Sequence, residues 1–391
     1  MLNIILLGLT SLLTDISTEM IYPLIPLYLV GRLGATPAVV GLIEGIAESL
    51  ASLLKVFSGH FSDKLQSRKP LVIGGYSFSA LSKILIILST SWTWVLWGRI
   101  CDRFGKGVRT APRDALIAES GVPQKMGRAF GLHRMMDTLG ASLGVILAYY
   151  FFTSYHSSYH TVFLWSLVPA ILGVAVLFLV KEKTGKYLTS KKPLLLSLSG
   201  LDSRLKKFLV VVFLFALGNS SNQFLLLRAQ DLGFNPADVI LLYLVFNLVY
   251  TLFSFPAGAL SDRVGRRALL VLGYTFYGLV YLGFALASHG QFLWVLFALY
   301  GIYNAATEGV EKALVAEMAP PEQKATLIGL HATLVGAGLL PASLLGGALW
   351  NFYGARATFY FGGAMGLLAA GGLALVLGGK KPAAEKYVHD G

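Results

Sequence analysis

The stretch Gly59-His60-Phe61-Ser62-Asp63-Lys64-Leu65-Gln66-Ser67-Arg68-Lys69 separates two apolar runs, 39–58 and 70–88, each long enough to cross a bilayer. A glycine, an acid four residues on and then three basic residues predict a tight turn between two membrane helices. The pattern comes back as Gly258-Ala259-Leu260-Ser261-Asp262-Arg263-Val264-Gly265-Arg266-Arg267. Asp63 and Asp262 stand 199 positions apart, as do Pro37 and Pro236 ahead of them. A loop repeated at half the chain length divides the chain into two related halves.

Hydrophobic residues make up 55% of the 391 and charged ones 13%, with a mean hydropathy of +0.67. A soluble domain cannot hide that much apolar surface, so the solvent is lipid. Windows of about 20 apolar residues place twelve helices, at 4–31, 37–58, 70–89, 92–118, 127–152, 160–180, 207–229, 236–257, 268–287, 291–317, 325–349 and 355–378. The expected fold is an all-α membrane protein of two six-helix bundles, 1–180 and 207–378. A linker rich in lysine and serine, 181–206, joins them, and a tail, 379–391, follows. The repeat holds elsewhere. Asp114-Ala-Leu-Ile-Ala-Glu119 matches Lys312-Ala-Leu-Val-Ala-Glu317 at a spacing of 198, and Gly131-Leu-His133 matches Gly329-Leu-His331 at the same spacing.

A formal charge of +12 would suit a nucleic-acid partner, but its distribution argues for a membrane. Basic residues crowd the loops on the side of the two signature stretches, among them Lys64, Arg68, Lys69, Lys125, Arg128, Lys181, Arg263, Arg266, Arg267 and Lys324. At the opposite surface the loops supply Arg32, Arg228 and Arg356. The positive-inside bias then puts both termini in the cytoplasm of a plasma (inner) membrane. The first apolar run lacks a basic leader and carries Asp15 and Glu19, so it reads as a retained helix. Cys101, the one cysteine, allows no intramolecular disulfide.

The repeated loop resembles the signature between helices 2 and 3 of the major facilitator superfamily: glycine, three residues, aspartate, a basic residue, two residues and a basic pair. The second copy fits in full. The first has Gln66 at the place of a glycine, and Ser67 interrupts the basic residues. The resemblance implies transport by alternating access, with two parallel halves about an axis along the membrane normal and the substrate site between them near the midplane. It also implies that Asp63 meets the start of helix 11 at the contact between the halves. There a carboxylate accepts hydrogen bonds from free backbone amides at the positive end of a helix. Gly59, Asp63, Arg68, Gly258, Asp262, Arg263 and Arg267 are accordingly the expected gating set, together with Arg113 and Asp114 at the cytoplasmic end of helix 4.

Charges inside membrane helices are costly and mark function by default. Helix 4 holds Arg99, Asp102, Arg103, Lys106, Arg109, Arg113 and Asp114, which at 100° per residue fall within about 140° of arc. Such a face lines a watery cavity or meets acids on neighbouring helices; for Arg109, Arg113 and Asp114 the plainer role is a gate or an interfacial anchor. Arg103-Phe-Gly-Lys106-Gly107 resembles the superfamily's helix 4 motif, which implies a part for Arg103 in coupling and proton movement; Lys106 stands where glutamine is usual. Asp15 and Glu19 lie one turn apart on helix 1, Glu44 and Glu48 on helix 2 share a face with Lys55, and helix 5 offers Arg134 and Asp137. These groups form either a structural ion-pair network or a proton path; the expected proton-coupling set is Asp15, Glu19, Arg103 and Asp137.

The second half differs. Helix 7 carries Asn219, Ser220, Ser221, Asn222 and Gln223; helix 8 carries Tyr243, Asn247 and Tyr250; helix 10 carries Tyr300, Tyr303, Asn304, Glu308, Glu311 and Lys312. This neutral, aromatic wall and the charged face opposite supply the expected substrate-binding residues: Glu44, Glu48, Arg99, Lys106, Arg134, Asn219, Asn222, Gln223, Asn247, Tyr303, Asn304 and Glu308. His133 and His331 read as interfacial and not as metal ligands, since no second histidine or cysteine is suitably spaced. No phosphate-cradling loop supports ATP drive, no catalytic constellation supports an enzyme, and no cofactor is expected. Helix 5 has Gly140-Ala-Ser-Leu-Gly144 and lacks the glycine-proline motif that antiporters of this superfamily carry, an argument against drug–proton antiport. The leading expectation is a monomeric proton-coupled transporter that exports a small organic or amphiphilic compound. The alternatives are proton-coupled uptake of an anionic metabolite and a membrane sensor without transport.

Overall fold

The computed structural model describes residues 2–65, 67–120, 126–156, 158–182, 202–319 and 324–377. Fourteen α-helices are found among these residues. The first half contains α1 (Leu2–Ile21), α2 (Ile25–Gly31), α3 (Pro37–Leu65), α4 (Lys69–Ile87), α5 (Trp92–Ser120), α6 (Met126–Ser154) and α7 (Tyr159–Leu177). The second contains α8 (Ser203–Gly218), α9 (Gln223–Asp231), α10 (Pro236–Val264), α11 (Arg266–Leu286), α12 (Phe292–Met318), α13 (Lys324–Tyr353) and α14 (Ala355–Leu377).

Fourteen helices make twelve spans because two spans are broken. Helix 1 is interrupted by a 3-10 turn, Tyr22–Leu24, where Pro23 and Pro26 withdraw two backbone donors. The break in helix 7, expected as one helix over 207–229, was not foreseen. α8 stops at Gly218 and α9 starts at Gln223. Asn219 leaves helical geometry at ψ 77°. The Ser221 hydroxyl accepts from Gln223 N at 3.2 Å, and Ser221 N donates to Ser343 Oγ at 3.3 Å. Short polar side chains compete for backbone hydrogen bonds and so let a helix open here.

The first signature stretch is another correction. It does not form a tight turn from Gly59: α3 stays helical to Leu65. A lone glycine costs a helix only about 1 kcal/mol, too little to end it. In the second copy α10 likewise runs to Val264, and the turn is made by Gly265 at φ +96°, a value that suits glycine.

Among the described residues, ten helical stretches are long and apolar enough to cross a membrane. The other two spans of the twelve are α5 and α12, which carry the charges that the sequence places on helices 4 and 10. Both therefore pack inside the bundles. α5 lies against α3 and α4, and α12 against α10 and α11. The packing repeats from half to half: α1 on α6 and α8 on α13, α4 on α7 and α11 on α14. Across the halves α3 meets α13 and α6 meets α10, the same pair of contacts exchanged by the repeat.

Candidate functional site

Six charges in the first half form a network, five of them buried and Glu48 at 31% side-chain exposure. Arg99 on α5 grips Glu44 of α3 with two parallel bonds, Nε to Oε1 and Nη2 to Oε2, both 2.7 Å. Its Nη1 lies 3.6 Å from Asp102, whose other oxygen is 3.5 Å from Lys83 Nζ on α4. Lys83 also donates to Thr18 of α1 at 3.3 Å. Arg103 pairs with Glu48 at 2.7 Å and stands 3.7 Å from Asp102. Three cations thus face three carboxylates, which is what burial demands of charge. Arg99 and Glu44 are 2% and 0% exposed, so neither is presented to a ligand in this state, contrary to the substrate-binding expectation. Arg103 meets an acid of α3, Glu48, but is buried behind it and does not project into the cavity. Lys83 is a member of this network that hydropathy alone does not bring out; its sequence signal is a lone lysine amid the apolar run 70–88.

Between the halves lies a cavity with two lobes, of about 480 and 940 Å³. The smaller, polar lobe is walled on the first half by Asp15 and Glu19 of α1, Lys55 of α3, Lys106, Arg109, Arg113 and Asp114 of α5, and Arg134 and Asp137 of α6. Asn247 and Tyr250 of α10 and Glu308 and Lys312 of α12 face them. The larger lobe shares Arg134, Tyr250, Glu308 and Lys312, adds Asn304, and is otherwise lined mainly by small and apolar groups such as Met135, Phe255, Ala305 and Val310. It reaches Gly258, Ser261 and Arg266, so the cavity extends toward the signature stretches. On its other side the space between the halves is filled. The Tyr22 and Tyr243 rings lie 5.5 Å apart, and α2 packs on α9.

Helix packing explains why Asp15 and Glu19 look into this space. α6 brings Gly140 and Gly144 against Leu12 and Ile16 of α1, where a Cβ would lie 2.5 and 2.6 Å from backbone oxygens. Two glycines four apart let the backbones meet, which turns the acid face of α1 to the cavity beside Asp137. Glu19 accepts from Tyr243 of the other half at 2.9 Å. A second contact crosses the halves: Arg134 donates to the Tyr250 hydroxyl at 3.3 Å, which donates to Glu308 at 2.6 Å, and Lys312 reaches Glu308 at 3.4 Å. Arg113 binds Asp114 at 2.8 Å and Ser11 at 3.2 Å. Arg109 is buried, donates to Ser79 and lies 4.3 Å from the centre of the Tyr76 ring. Its side chain is thus held within the first half and is no interfacial anchor.

The aromatic wall expected of the second half is largely core. Tyr300 and Tyr303 are buried at 2% and 3%, packed with Tyr277 and Tyr281. Tyr300 donates to Asn222 at 2.7 Å across the α8–α9 break. Gln223 is fully buried. Asn219, Asn222, Gln223 and Tyr303 do not line the two lobes, whereas Asn247, Asn304 and Glu308 do.

His133 and His331 are not interfacial either: they are 4% and 3% exposed. His133 Nδ1 is 3.6 Å from Asp137, and His331 Nε2 is 3.1 Å from Glu311, which also accepts from Tyr274 at 2.9 Å. Arg228, expected at a loop surface, is buried and donates to the carbonyls of Phe284 and Ala287. At the signature end Arg68 pairs with Glu119 at 2.5 Å, and Glu182 accepts from Arg68 N and Lys69 N at 2.6 and 3.2 Å, capping α4. Arg263 is exposed and Arg267 half-buried. Gly59 lies within α3, and the side chains of Asp63 and Asp262 lie outside the described residues, as does Gln66.

A family model described as Major Facilitator Superfamily matches residues 7–221 and again 208–389. The chain belongs to the major facilitator superfamily. It is therefore a multi-pass membrane transporter and not an enzyme. Membership accords with its relatives. The chain is 38% identical over 373 residues to the "Uncharacterized MFS-type transporter MJ1317" of Methanocaldococcus jannaschii, covering 94% of this chain and 93% of that one. It is 25% identical over 365 residues to the "Multidrug resistance protein MdtH" of Cronobacter sakazakii, covering 89% and 86%. In fold it is similar to the nucleoside transporter NupG, with a TM-score of 0.80 at 13% identity over 97% of this chain and all of the other. The superfamily's twelve-span, two-half architecture is the one described above.

Proposed function

We propose that this superfamily member is a proton-coupled secondary transporter that moves a small organic or amphiphilic compound by alternating access, with export the favoured direction. The observation that carries the reading is the bond from Tyr243 to Glu19, made across the halves at the inner end of a charged cavity. When the halves rock, this bond must break, so the surroundings of Glu19 and neighbouring Asp15 change between states. A carboxylate whose surroundings alternate takes up a proton in one state and releases it in the other. Export is supported by the relatives named for multidrug resistance. The basic loops support an inner-membrane orientation with cytoplasmic termini, in which the cavity faces inward. Gating at the signature stretches, with Asp63 at the contact between halves, belongs to the same reading.

A second reading, proton-coupled uptake of an anionic metabolite, is favoured by Lys55 and Lys106, which line the polar lobe. The test is flux of a compound panel into and out of proteoliposomes, with and without a pH gradient. Asp15→Asn or Glu19→Gln is expected to abolish gradient-driven flux and spare exchange without a gradient. Flux with unchanged pH dependence in both variants and in the double variant would return these acids to a structural role.

A further inference from the structure

The charges of the polar lobe are unevenly satisfied. Of its five acids, Asp114 holds Arg113 and Glu308 holds Lys312 and Tyr250, while Glu19 has the neutral Tyr243 hydroxyl, Asp137 has His133 at 3.6 Å, and Asp15 has no cation within 4.0 Å among the described residues. Of its cations, Arg113 and Lys312 hold carboxylates, while Arg109 and Arg134 are turned to hydroxyl groups. Lys55 and Lys106 remain. Among the described residues neither has a carboxylate within 4.0 Å, and both line the same lobe from different helices. Over the whole lobe six cations meet five acids, so it keeps one net positive charge, and among the described residues Lys55 and Lys106 are the cations that bond to no protein side chain. Two like charges in a confined space repel. A bound anion relieves that repulsion. A bound cation adds a third positive charge.

The second lobe sets the rest of the ligand. It adjoins the polar lobe through Arg134, Tyr250, Glu308 and Lys312, and presents Met135, Phe255, Ala305 and Val310 to its contents. At about 940 Å³ it has room for a drug-sized apolar body.

We infer that the cavity takes an amphiphilic organic anion, with its carboxylate, sulfonate or phosphate between Lys55 and Lys106 and its apolar body in the larger lobe. This rests on the transport reading and names the substrate class of that same cavity. It narrows the role of the charged face of α5. Of its five cations, Arg99, Arg103, Arg109 and Arg113 are engaged within the protein, and Lys106 alone is left to meet a ligand.

The experiment uses three probes with one aromatic body and different heads: 1-naphthylacetate, 1-naphthylmethylammonium and 2-(1-naphthyl)ethanol. Binding is measured by calorimetry on the full chain in lipid nanodiscs at neutral pH, without a gradient. The carboxylate is expected to bind about tenfold or more tightly than either other probe, the scale of one charge-assisted hydrogen bond. Lys55→Gln and Lys106→Gln are each expected to weaken it about tenfold, the double variant to lose the preference, and Lys106→Arg to keep it. Equal binding of the three, preference for the ammonium, binding of none, or a double variant that still prefers the carboxylate overturns the inference. If the glutamine variants do not fold, the three-probe comparison on the unaltered protein still decides. Gradient-driven flux of the ammonium without binding of the carboxylate would sink this assignment and leave proton-coupled transport standing. Carboxylate binding with no flux under any pH gradient would do the reverse.

Discussion

Arg99, Asp102 and Lys83 have repeat counterparts Phe297, Tyr300 and Tyr281, each 198 positions on, and Glu44 has Tyr243 at 199. One scaffold thus carries ions in its first half and aromatic rings in its second. Apolar packing can replace a buried ion pair at little cost or even with a gain in stability, so the ions are not needed to hold such a bundle together. Removing one partner is a different matter, because it strands a buried charge. Glu44→Gln is expected to destabilise the protein by about 3–5 kcal/mol, read as a lower midpoint in detergent unfolding, while Glu44→Gln with Arg99→Met recovers most of the loss. Arg103 is the coupling candidate of this network. Arg103→Lys keeps the charge but gives up the planar fork that meets Glu48, and is expected to impair flux while the unfolding midpoint stays near that of the unaltered protein. An unimpaired flux would free Arg103 of that role. At this scale the sequence was read well for identity and poorly for placement. The positions of Arg99 and Glu44 on charged helix faces were legible, but whether a face meets another helix or a cavity depends on the neighbour it packs against.

Among elements, the spans were legible because lipid forces each into about 20 apolar residues. The helix 1 break has a local cause in Pro23 and Pro26, since proline removes a donor. The helix 7 break at 219–222 has no such cause along the chain, because serine and asparagine open a helix only when a partner such as Ser343 waits in three dimensions. Glu182 shows the same limit. It follows α7 in sequence, yet its carboxylate caps α4 through the backbone amides of Arg68 and Lys69 and meets the Ser67 hydroxyl at 3.3 Å. Such a cap is worth about 1 kcal/mol, up to about 2. Glu182→Ala is therefore expected to lower stability by that amount and to speed amide hydrogen exchange at 67–72, with little change in the α5 interior; unchanged exchange there would show the cap to be idle.

For the whole molecule, the repeat and the lipid solvent together imposed two six-span halves. The seam between them was decided by packing. Ser49 Oγ donates to Gly336 O at 2.6 Å, and a Cβ on Gly347 would lie 2.8 Å from Ala38 Cα, at the end of the α3–α13 contact away from the signature stretches. If alternating access requires that end to part, then Gly347→Leu, which crowds Ala38, is expected to hold α3 and α13 apart there and to raise labelling of an Ala38→Cys thiol, in a Cys101→Ser background, by a membrane-impermeant maleimide. Unchanged labelling would show that the close approach at Gly347 does not hold that end shut. The sequence by itself determined the membrane solvent, the number of spans, the duplication and the charged character of helix 4, because hydropathy and repeat are properties of neighbours along the chain. Only the tertiary structure decided which charges neutralise one another and which remain open to a ligand. Coulombic pairing depends on distances of 3–4 Å between helices far apart in sequence, and a shift of one side chain by that much exchanges a buried pair for a binding site.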